Sequence, residues 1–110
     1  VRDTITFFDV DTAYRKDTKC TVEVNVLWWV HDLKNVKREF EGKGYLDMVD
    51  RLSQHMALAV GGVVVSRARE QVESQIGKVE REVKMQVNPL IRPMGVHVED
   101  ISIKVVGWTG

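Results

Sequence analysis

A chain of 110 residues has material for one domain, residues 1–110, and at that size folding removes roughly two-thirds of the unfolded surface from water, enough for a single core. Sixteen basic and sixteen acidic residues cancel, so no overall field gathers polyanions, the electrostatic term that dominates nucleic-acid binding is missing, and no nucleic-acid partner is expected. The single Cys20 excludes an intramolecular disulfide, and the uncharged run Gln54 to Ser66 is too short and too glycine-rich for a bilayer, which takes about twenty apolar residues.

In chain order, Thr4 to Val10 predicts a first strand, with Ile5 and Phe7 on one face and Phe8 and Val10 on the other. The change of phase at Phe7-Phe8 calls for a bulge or a strong twist, and Asp11 to Lys19 then forms the hairpin connection. The clearest strand runs from Cys20 to Val30. Val22, Val24, Val26, Trp28 and Val30 take every second position while Thr21, Glu23 and Asn25 are polar, so the even positions predict the core face. Leu27 and Trp29 make the end of the opposite face apolar as well, which predicts either a cover or a contact surface there.

Asp32 predicts the N-cap of a short helix through Phe40, carrying Leu33, Val36 and Phe40, and Gly42-Lys43-Gly44 breaks it. A second helix follows with Tyr45, Val49, Leu52, Met56, Ala59, Val60 and Val63 on one stripe, and Gly61-Gly62 predicts its loosening or end. Ser66 is expected to cap a third, from about Arg67 to Val87, with Val72, Ile76, Val79, Val83 and Val87 inward. Its charged faces offer the pairs Lys78–Glu82 and Glu80–Lys84, each worth only a few tenths of a kcal/mol, and Pro89, Pro93 and Gly95 predict its stop. From Val96 the last strand alternates in one phase through Val98 and in the opposite phase from Ile101 to Val105, so a bulge is predicted at Glu99-Asp100. The order β-β-α-α-α-β predicts an α+β fold, a small mainly antiparallel sheet with helices packed on one face.

No constellation for catalysis emerges. His31, His55 and His97 lack the second ligand at i+3 or i+4 that a zinc face requires, and a dyad of Cys20 with one of them has no local signature. Asp9 with Asp11, and Glu99 with Asp100, read as turn and bulge residues more readily than as acid/base pairs, and Gly42-Lys43-Gly44 lacks the flanking residues of a phosphate loop. No cofactor and no metal are expected. Trp28 belongs to the core by phase, Trp29 is the aromatic whose exposure matters, and Trp108, near the end of the chain, is expected to find its packing only in a longer polypeptide. The absence of a basic-then-apolar leader before Val1 suggests an internal fragment of such a polypeptide.

Taken together, several stretches resemble the stomatin, prohibitin and flotillin group, the SPFH or band-7 domains. These are Arg15-Lys16-Asp17-Thr18-Lys19 followed by the valine-alternating strand ending at Asp32, the small-residue helix Met56 to Gly61, Arg69-Glu70 opening a charged helix, and the closing run Gly95 to Lys104. The resemblance covers nearly the whole chain in the same order. It implies a non-enzymatic domain that sits beside a membrane, assembles with copies of itself and organises membrane proteins or lipids, with the membrane contact made by flanking segments. Two alternatives within the same resemblance are a soluble cage module like a vault shoulder and an accessory regulator of a membrane-bound protease. The residues expected to make assembly contacts are Leu27, Trp29 and His31 on the second strand face and Arg69, Glu73, Glu80 and Lys84 on the charged helix.

Overall fold

The computed structural model describes residues 4–13 and 18–109, with side chains at 9–11 and from 18 onward. Three antiparallel strands, β1 (Thr4–Ala13), β2 (Lys19–Val30) and β3 (Val96–Thr109), form one sheet in the order β1-β2-β3. Between β2 and β3 come α1 (Leu33–Glu39), α2 (Tyr45–Val65), α3 (Arg69–Ser74), α4 (Ile76–Ile91) and a short 3-10 turn (Arg92–Met94). The fold is α+β.

The core follows from the alternation of β2. Cys20, Val22, Val24, Val26 and Trp28 are buried, and the helices lay Leu52, Met56, Val60, Val63, Val72, Val79, Val83, Val87 and Ile91 against them. Val10 of β1, paired with Val22, joins this face. The β1–β2 pairing runs from Thr4↔Trp28 to Ala13↔Lys19 without a register shift, so β1 has no bulge; the Phe7-Phe8 side chains and the Arg15-Lys16-Asp17 lead-in lie outside what is described. In β3 the predicted bulge is present. Leu27 pairs with Asp100 and Trp28 with Val98, leaving Glu99 as the extra residue that returns Ile101 and Ile103 to the core; a second shift follows between Thr21 and Val22.

Asp32 caps α1 as expected, its carboxylate accepting from the Lys34 and Asn35 N–H groups at 3.0 and 3.3 Å. Several helical expectations fail, each for a tertiary reason. α2 continues through Gly61-Gly62 to Val65, because Ala59, Val60, Val63 and Val64 are all buried, and packing outweighs the propensity cost of two glycines. Tyr45 leaves the core stripe: it is exposed, and its ring stacks on Trp28 at 6.2 Å as a cover. Ser66 closes α2 with its hydroxyl donating to the Val63 carbonyl, and Ala68 takes the N-cap position of α3.

The long charged helix is divided at Gln75, whose φ of −120° and ψ of 40° leave the helical region. On the near side of the break α3 carries the partners of Trp108, which was expected to pack only in a longer polypeptide. The Trp108 indole N–H donates to Glu73 at 2.7 Å, and the Arg69 guanidinium lies 4.9 Å from its ring, so Trp108 packs within this chain. α4 passes through Pro89 and ends at Ile91. Pro89 and Met85, whose carbonyl loses its helical donor, are both exposed, so that carbonyl is left on the solvent side. Neither predicted i,i+4 pair carries the helix: Glu82 bonds to Arg67, and Glu80 accepts from the Ile103 N–H.

Candidate functional site

β3 is an edge strand, and α4 runs beside it. The Asn88 amide accepts from the Val98 N–H at 2.8 Å and donates to the Val98 carbonyl at 3.1 Å, while the Glu80 carboxylate accepts from the Ile103 N–H at 2.8 Å. Asp100 accepts from the Ile101 N–H at 3.0 Å. Side chains therefore occupy backbone groups that would otherwise offer a template for another strand. Asn88 also fixes the strand next to the Glu99 bulge, and with it the direction of His97 and Glu99.

The sheet face away from the helices carries Thr21, Glu23, Asn25, Leu27 and Trp29 of β2, all half-buried. Trp29 pairs with His97 across the strands; its ring meets His97 edge-on at 5.4 Å and His31 at 6.4 Å. Glu99 accepts from the Trp29 indole N–H at 3.3 Å and lies 3.5 Å from the His97 Nε2. Beside this aromatic group an open cleft of about 560 Å³ is lined by Trp29, His31, Asn88, Pro89, Arg92, Val96 and His97. A smaller hollow of about 220 Å³ lies along the same face, lined by Asn25, Val26, Leu27, Asp100 and Ser102. The buried Asn25 Oδ1 has no hydrogen-bond partner there.

Gly95 holds the cleft's frame. Its carbonyl accepts from the His31 N–H at 2.9 Å and the Asp32 N–H at 3.2 Å, joining the end of β2 to the turn before β3. It sits at φ +82°, and a Cβ there would fall 2.2 Å from the Asp32 carbonyl oxygen, so both the conformation and the space demand glycine.

Of the expected contact residues, the structure brings Leu27, Trp29 and His31 onto one outward region. Arg69 and Glu73 are engaged with Trp108 at the far end of β3, Glu80 is turned to the β3 edge, and Lys84 lies half-buried further along α4. Sequence reasoning missed Asn88, Arg92 and Asn25. Asn88 and Arg92 come to the cleft only through the packing of α4 against β3, and no local motif marks that.

Cys20 is fully buried, and burial together with the neighbouring Glu73 pushes its thiol above the ordinary range, partly countered by Arg69; this favours the unreactive thiol over a nucleophile. Three of the four carboxylates weighed as pairs have structural partners: Asp11 accepts from the Thr21 hydroxyl at 2.7 Å, Asp100 from the Ile101 N–H, and Glu99 from the Trp29 indole N–H. Among the described residues no three His, Cys, Asp or Glu side chains are grouped to hold a metal ion, and no helix is long and apolar enough to cross a membrane. Comparison of the chain with models of known protein families and with curated proteins finds no match.

Proposed function

We propose that this is a non-enzymatic scaffold domain that associates with copies of itself through the outward sheet face and so organises membrane proteins or lipids beside a membrane. The observation that carries the proposal is the composition of that face. Leu27 and Trp29 form an apolar pair on it. The resemblance of the whole chain to the SPFH group supports the same reading. Membrane contact is assigned to flanking segments; if an apolar segment of about twenty residues adjoins the domain in the parent polypeptide, the membrane scaffold is favoured over a soluble cage.

Light scattering tests the proposal on this chain and on the parent polypeptide. A mass of several subunits for the parent polypeptide is expected. A strict monomer in both would contradict the scaffold reading.

A further inference from the structure

The cleft beside Trp29 shares Trp29 and His31 with the face proposed for self-association, but it has a chemistry of its own. Its volume of about 560 Å³ lies within the range of small-molecule sites. Trp29, Pro89 and Val96 give it apolar walls, and its remaining polar side chains are His31, Asn88, Arg92 and His97. Two of these are already committed. The Asn88 amide is spent on both backbone groups of Val98, and His97 faces Glu99. The Glu99 carboxylate is itself bonded to the Trp29 indole N–H. Arg92 and His31 are left as the exposed groups at the cleft, and among the described residues no carboxylate lines it.

The frame is set in advance of any ligand. Gly95 ties His31 and Asp32 to the turn that follows Arg92, Asn88 fixes Val98, and the edge-on contacts with His31 and His97 hold the Trp29 ring. A site whose walls are already ordered loses little entropy on binding.

We propose that this cleft binds a small aromatic carboxylate. A planar ring packs against Trp29 between Pro89 and Val96, in the offset or edge-on manner that aromatic pairs prefer. Its carboxylate meets the Arg92 guanidinium, whose planar fork matches two carboxylate oxygens, and His31 flanks the pair. A cation or an acid-free apolar molecule would leave Arg92 without a partner or oppose it.

The test is a titration of the isotope-labelled 110-residue chain with indole-3-acetate, followed by nuclear magnetic resonance. Indole-3-acetamide, the uncharged counterpart of the same shape, is titrated in parallel. The expected result is a saturable shift of the Trp29 indole N–H and of the His31, Val96 and His97 amides, with the Trp28 and Trp108 indoles unmoved. The amide should bind about fivefold more weakly, the scale of one exposed ion pair, and Arg92→Gln should lower the affinity for the acid by the same factor while its core signals stay in place. Equal binding of acid and amide, shifts centred away from Trp29, an unaltered affinity in Arg92→Gln, or no saturable shift would each overturn the proposal. Particle mass, measured on the same samples, reports on self-association separately, so either reading can fail without the other.

Discussion

Trp28 and Trp29 are neighbours in sequence and differ in everything else. Trp28 points into the helix-covered face, is 1% exposed and lies under Tyr45. Trp29 points to the outward face, half-buried, with its indole N–H held by Glu99 and a cleft beside it. The period of two that places one residue type on both sides of a strand thus divides the molecule into a face that makes the fold and a face available to partners. If that division is sound, truncation on the first face costs stability and truncation on the second costs contacts.

The largest expected effect is on the covered face. Trp28→Ala should lower unfolding free energy by about 3–5 kcal/mol in urea denaturation, because it empties a fully enclosed site; a loss under about 1 kcal/mol would mean that the two faces are not distinct. Next comes the joint between them: Gly95→Ala should cost about 3 kcal/mol, since it combines a strained φ with a clash against the Asp32 backbone. An unchanged thermal midpoint would show that the β2–β3 joint is looser than described. Asn88→Ala should cost about 2 kcal/mol and speed hydrogen exchange at the Val98 amide, because it unpairs two backbone groups at once. Unaltered exchange there would remove the clamp from the account. The smallest effect belongs to Trp29→Ala, about 1 kcal/mol, from the loss of edge-on contacts with His31 and His97.

Features set by local chemistry were legible in the sequence. The alternation of β2, the Asp32 cap and the reversal of phase at Glu99-Asp100 each involve residues within a few positions of one another, and each is found. Features set by packing were not. Gly61-Gly62 and Pro89 signal helix ends, yet buried valines on α2 and the alignment of α4 along β3 carry both helices past them. The break at Gln75 has no local signal either, and Trp108 meets Glu73 from 35 positions away. The outward face was readable as far as Leu27, Trp29 and His31, because strand phase alone places them. Its completion by Asn88 and Arg92 depends on where α4 ends against β3, a relation between distant segments that no spacing records.

The helical side also carries exposed apolar side chains, among them Leu46, Leu58 and Met85, and it is the competing surface for self-association. Sedimentation velocity on the full-length protein carrying either Leu27→Asp or Met85→Asp separates the two. Leu27→Asp should lower the assembled mass to that of a single subunit with the circular dichroism unchanged, while Met85→Asp leaves the mass as it was. Loss of assembly in Met85→Asp with Leu27→Asp unaffected would contradict the assignment of the outward sheet face.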